Sequence, residues 1–178
     1  MNPNSTSIGY RGEVVIKTPI FDYYSHNNGT NELFKLLNRF MAKQSVSVGE
    51  LPGYLTMYNM SSSIILSESE NAKSSLHESK EIFSAKVPAI ANIVESEDGS
   101  QYLEYTSPLA SNNLKPGSQG LDLNSTVCLS LISSDKTRIL AATDIVNGGQ
   151  LVNSLQQGMT AVVKWKLSFE NPVTGGNN

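Results

Sequence analysis

Val163-Lys164-Trp165-Lys166-Leu167-Ser168-Phe169-Glu170 alternates apolar and polar side chains without interruption. A period of two marks a β-strand with one buried face and one wet face. Trp165 stands in phase with Val163, Leu167 and Phe169, which places it in a core and leaves Lys164 and Lys166 pointing outward. Upstream, residues 126–132 and 137–143 read as two more strands, rich in β-branched residues and joined by Ser133-Ser134-Asp135-Lys136. If that turn sets the register, Ile132 stands opposite Thr137 and Leu131 opposite Arg138. Val127, Leu129, Leu131, Leu140 and Ala142 then share one face, and Cys128, Ser130, Ile132, Ile139 and Ala141 share the other. Both faces are largely apolar, and such a sheet has to be covered twice, from within the chain or by another subunit. Cys128, Ser130, Ile132, Ile139 and Ala141 are therefore the candidate interface with a neighbouring copy. An ordinary central strand pair in a sandwich core is the alternative.

Towards the N-terminus, Glu13-Val14-Val15-Ile16-Lys17 is a strand candidate ended by Thr18-Pro19, and residues 21–30 read as a loop with an Asn28-Gly29 turn signal. A helix follows over 31–43. Thr30 or Asn31 can cap it, Glu32 favours its positive end, and Leu33, Phe34, Leu36, Leu37, Phe40 and Met41 keep helical spacing. That stripe is wide, so the helix is expected to pack deeply across a sheet face. Residues 54–60 suit a strand, and a narrow stripe of Ala72, Leu76, Ser79 and Phe83 offers a second helix candidate near 70–84. Asp98-Gly99 signals a two-residue hairpin between 90–97 and 100–106. Residues 107–120 read as one long loop with Pro108 and Pro116, long enough to be functional, contact-making or disordered. Residues 150–157 suit a short helix closed by Gly158. The fold class is mainly β, a β-sandwich or β-barrel, with one packed α-helix near 31–43 and the second candidate near 70–84. The ends, 1–9 and 173–178, are small and polar and are expected to be mobile.

A chain of 178 residues is the size of a single domain, 1–178, whose folding buries about 70% of the unfolded surface, so no disulfide framework is needed. Charged residues make up 16% against a usual share of about 25%, while 25 serines and 17 asparagines supply uncharged polarity instead. Thirteen basic against sixteen acidic residues give a net charge of −3, which removes the bulk attraction that nucleic-acid or anionic-membrane binding would use. A lone cysteine, Cys128, cannot form an intramolecular disulfide or complete a thiolate metal site, and its apolar neighbours suit a small buried side chain. No secretory signal opens the sequence, and no run of about 18 apolar residues spans a membrane.

Catalytic constellations are sparse. Asp22 and His26 are four apart, but in a stretch read as loop and without a third ligand, and His77-Glu78 lacks the second histidine of a zinc helix. If Asp98-Gly99 closes a two-residue loop, Glu95 and Glu104 become diagonal neighbours at about 7–8 Å, inside the spacing of an inverting glycosidase. A catalytic acid needs a desolvated pocket, however, and this acidic hairpin reads as wet. No G-x-S-x-G, phosphate loop or G-x-G-x-x-G occurs. No catalytic, cofactor or metal residue is assigned. Tyr102 and Tyr105, with the 107–120 loop, are the candidate residues of the alternative function, a β-sandwich binding module for carbohydrate or a protein partner.

Asp144-Ile145-Val146-Asn147-Gly148-Gly149-Gln150-Leu151-Val152-Asn153-Ser154-Leu155, leading into the amphipathic stretch 159–170, resembles in texture the structural proteins of tailed-bacteriophage particles, as do the Ser- and Asn-rich connections. The resemblance implies a non-enzymatic tail, neck, baseplate or capsid-surface subunit. Its partners would be copies of itself and other structural proteins, its location the virion, and its place of assembly the host cytoplasm.

Overall fold

The computed structural model describes residues 9–67, 78–118 and 121–170. They form a mainly β structure, a nearly closed antiparallel barrel of nine strands with three helices. In chain order the elements are β1 (Gly9–Lys17), β2 (Asp22–Gly29), α1 (Asn31–Met41), β3 (Pro52–Tyr58), α2 (Ser62–Ser67), β4 (Val87–Pro88), β5 (Ile90–Glu95), β6 (Gln101–Leu109), β7 (Val127–Ser133), β8 (Ile139–Ile145), α3 (Gly148–Gln156) and β9 (Ala161–Glu170). The sheet order is β4-β3-β7-β8-β2-β1-β9-β6-β5. Only Ala89 separates β4 from β5, so one bent segment pairs with β3 on one side and with β6 on the other, bringing the two ends of the sheet together. The Ala89 N–H donates to Gly53 O (2.9 Å) and the Ser107 hydroxyl to Pro88 O (2.8 Å), which holds the seam at that level.

Alternation explains the inside. Val163, Trp165 and Leu167 of β9 are buried with Val14 and Ile16 of β1 and Tyr105 and Leu109 of β6. Lys164 and Lys166 lie outside, where Lys166 stands opposite both Glu13 and Glu104 in the register and Lys164 pairs with Glu104 at 3.6 Å. The Leu151, Val152 and Leu155 side chains of α3 join this core and close the end of the barrel where β9 begins and β8 finishes.

The central hairpin departs from the expected register. Ile132 pairs with Ile139 and Leu131 with Ala141, with an irregularity between them that makes Leu140 an extra residue. A β-bulge of this kind flips the side-chain phase beyond it. Ala141 therefore lies in the main core with Leu129 and Leu131, and Ala142 takes its place on the outer face beside Cys128, Ile132 and Ile139. Leu140 O accepts from the Thr30 N–H (2.9 Å) and Ile139 O from the Thr30 hydroxyl (2.6 Å), so the bulge also anchors the start of α1.

Other departures have similar local causes. Residues 21–30 are not a loop: β2 occupies most of them, and the polar Ser25 and Asn27 at its inward positions find partners inside. Ser25 Oγ lies 2.6 Å from Thr143 Oγ1 and donates to Asp144 O (2.9 Å). The β5–β6 connection has five residues, 96–100, not two, with Gly99 at φ 79° and the Ser96 N–H on Ser100 O (2.8 Å). The expected long loop begins later, because β6 runs through Ser107 and Pro108 to Leu109, and a single 3-10 turn at Ser111–Asn113 follows. Of the second helix candidate, residues 70–77 lie outside the described residues, 78–80 form one 3-10 turn, and Glu81 and Phe83 make isolated bridges. Most of the two expected mobile ends also lies outside the described residues. Among the described residues, no helix is long and apolar enough to cross a membrane.

Candidate functional site

At the barrel end opposite α3, the wall is incomplete. β3 begins only at Pro52, whereas β5 continues past Ala89 to Glu95, and a cleft of about 500 Å³ opens there. Its inner wall is Tyr10, Leu103, Tyr105 and Leu167. Its outer wall is α1, through Leu33, Phe34, Leu37, Phe40 and Met41, and its side is closed by Val46, Leu51 and Pro52. No lining side chain carries a charge, and Tyr10, Asn38 and Tyr105 supply its only side-chain polar groups.

α1 forms because the Thr30 side chain caps the Leu33 N–H and Glu32 and Arg39 sit at the ends that favour their charges. Its apolar stripe is wider than the barrel needs. Leu33 and Leu36 are buried, but Phe34, Phe40 and Met41 are 42%, 73% and 54% exposed, so the helix is not packed as deeply as its sequence suggests. An ionic network on its other side holds it in place. The Glu50 carboxylate accepts from Arg39 Nη1 (2.5 Å), Arg138 Nη1 (2.8 Å) and the Ser47 N–H (3.0 Å), and Arg138 also lies 3.7 Å from Glu32. Hydrogen bonds from Arg39, the Ser47 backbone and Arg138 hold the Glu50 carboxyl well below the usual carboxylate range.

Beneath the cleft floor lies a second polar cluster. Gly12 of β1 faces Asn27 of β2, and the missing side chain leaves room for the Asn27 amide. The amide orientation that satisfies all neighbours has its oxygen accepting from Trp165 Nε1–H (2.8 Å) and the Glu13 N–H (3.2 Å) and its nitrogen donating to the Tyr10 hydroxyl. Burial pushes the Tyr10 hydroxyl pKa up, so the group is neutral throughout the physiological range. The Tyr10 ring meets Phe34 edge-on at 6.1 Å, which ties the floor to the helix. The whole arrangement is suited to burying apolar side chains against a rigid floor.

The residues singled out from the sequence lie elsewhere. Cys128, Ser130, Ile132, Ile139 and Ala141 are all fully covered within the single chain. The outer face of β7 and β8 is covered by Ile65 of α2, Tyr58 and the flanking Tyr54 and Met60, with Asp144 Oδ1 accepting from the Ser62 N–H (2.7 Å) at the start of α2. Burial pushes the Cys128 thiol up to about 12. The cover assigned to a neighbouring copy is thus supplied from within, by a helix too short to stand out in the sequence. Tyr102 and Tyr105 do not form one platform: Tyr105 is buried inside the barrel, while Tyr102 lies outside beneath Lys166 Nζ, 4.1 Å from its ring centre. Glu95 stands opposite Gln101 and Glu104 opposite Asn92, so the two carboxylates project from opposite faces of the hairpin. Asp22 and His26 share the exposed outer face of β2, and among the described residues no three of His, Cys, Asp and Glu gather as metal ligands.

Sequence reading missed the cleft itself. Its signal was the surplus width of the stripe on α1, together with an uncharged, apolar strand, Ile90-Ala91-Asn92-Ile93-Val94, at the end of the sheet. No protein-family model, curated protein or solved structure matches the chain.

Proposed function

We propose that this chain is a non-enzymatic structural subunit of a multi-protein assembly, a component of a tailed-bacteriophage particle such as its tail, neck, baseplate or capsid surface. The single observation that carries the reading is the apolar surface left uncovered at the barrel mouth. Phe34, Phe40 and Met41 of α1 and Leu51 of the connection line the cleft and are exposed. Contiguous apolar surface left open on a free-standing protein is often a site of interaction. The rest of the surface agrees with such a role. Its polarity is largely uncharged serine and asparagine, which costs less to desolvate against a neighbour than a coat of lysine and glutamate.

The test is a mass. Light scattering on the purified chain, alone over rising concentration and mixed with the proteins encoded beside it, is expected to give a defined species larger than one chain. A mass of one chain under every condition would overturn the proposal.

A further inference from the structure

We infer that the open seam at the barrel mouth is a strand-acceptor site, filled by an extended, uncharged apolar segment of a different chain that pairs with the edge of β5 and drops alternate side chains into the cleft. The inference rests on the proposed role as an assembly subunit and names the chemistry of the partner. In an antiparallel pair, alternate residues turn their N–H and C=O away from the neighbouring strand. The phase in β5 is fixed at both ends: the Ser96 N–H is used towards β6, on Ser100 O, and the Ala89 N–H is used away from it, on Gly53 O. Ala91, Ile93 and Glu95 therefore direct their backbone groups outward, from the terminal strand of the sheet.

Among the described residues no strand pairs with these three outward residues, and such an edge is a template for one kind of ligand, another extended backbone. Natural edge strands are usually blunted by lysine, proline or a bulge, and none of these lies within Ile90–Glu95. The cleft then sets the side chains. Ala91 and Ile93 stand opposite Tyr105 and Leu103, so they share the inner face with two cleft residues, and a strand laid along β5 would present its own inner face to the same space. Charge complementarity completes the description. No charged side chain lines the cleft, so a charged residue inserted there would lose its hydration without a counter-ion. Past Ile93 the edge meets Glu95, Glu97 and Asp98, which match a basic residue flanking the apolar segment.

The experiment pans a random nine-residue peptide library on the full chain and on two variants. Ala91→Pro removes an outward N–H while leaving the β6 ladder intact, and Ile93→Lys adds charge to the rim at an exposed position. The expected result is enrichment of peptides with alternating neutral apolar residues, binding at least tenfold weaker to both variants while their unfolding midpoints stay near the parent's. No enrichment, or enriched peptides whose binding neither variant weakens, would overturn the inference. Protection of the Ala91 and Ile93 amides in a peptide-free dimer would also overturn it, by showing that a second copy fills the seam. So would a mouth that takes up a small apolar dye but no peptide. In each of these cases a particle that still contains the chain leaves the broader reading standing.

Discussion

Replacing Gly12 with alanine tests the floor of the cleft through one atom. A Cβ at that position would lie 1.9–2.3 Å from the three outer atoms of the Asn27 amide, far inside contact distance, so the amide has to leave its place. Asn27 is almost fully buried, and its oxygen is the partner of Trp165 Nε1–H in the centre of the core. Stranding that donor costs about 1–3 kcal/mol, and forcing a methyl group into a packed wall costs about 1–3 kcal/mol more. The expected loss is thus about 4 kcal/mol, or roughly 8–16 °C in Tm for a chain of this length. Asn27→Ala should show only the hydrogen-bond part. The double variant should be little worse than Asn27→Ala, because the added methyl group then falls into vacated space, giving a favourable coupling of about 4 kcal/mol. Urea unfolding followed by the emission of Trp165, the sole tryptophan, measures all three. Costs that simply add, or a Gly12→Ala protein within about 0.5 kcal/mol of the parent, would refute the contact.

The remaining expectations concern the covered face, the ionic anchor and the rim. Cys128 should resist an aromatic disulfide reagent at pH 8 until the chain unfolds, because burial holds its thiol protonated; labelling as fast as in urea would contradict that. Ile65→Ala, which removes part of its cover, should cost about 2–4 kcal/mol and speed that labelling, and unchanged labelling would show that α2 is not the lid. For Glu50 the folded pKa lies below the unfolded one, so the unfolded state binds more protons and the contribution to stability is present above about pH 4.3 and fades as the pH falls below it. The urea midpoints of the parent and Glu50→Gln should differ most near neutral pH and converge in acid; a difference that grows in acid would reverse the sign. Phe40→Ser changes an exposed side chain and should shift stability by less than about 0.5 kcal/mol while reducing assembly, a separation that calorimetry and light scattering can check together.

What could be read from the sequence followed the strength of periodic burial. β9 and the β7–β8 pair announce themselves because their inward positions are apolar at every second residue, and α1 because its stripe recurs at helical spacing. β2 is silent for the opposite reason: its inward Ser25 and Asn27 are polar, and only the structure shows the partners that make them tolerable inside. The bulge at Leu140 carries no local signal, since Ile139, Leu140, Ala141 and Ala142 are all apolar and every register buries something. That ambiguity exchanged Ala141 with Ala142, and the shortness of α2 hid the cover over Cys128 and Ile132. The cleft was legible only as a surplus, more apolar surface on α1 and β5 than the visible strands could use.

The most direct measurement on the central claim is amide hydrogen exchange at β5 in the assembled state against the chain alone. The Ala91, Ile93 and Glu95 amides are expected to exchange quickly in the separate chain and become protected on assembly, while the amides of Asn92 and Val94, already held by β6, change little. Equal and rapid exchange of the three outward amides in both states would contradict it.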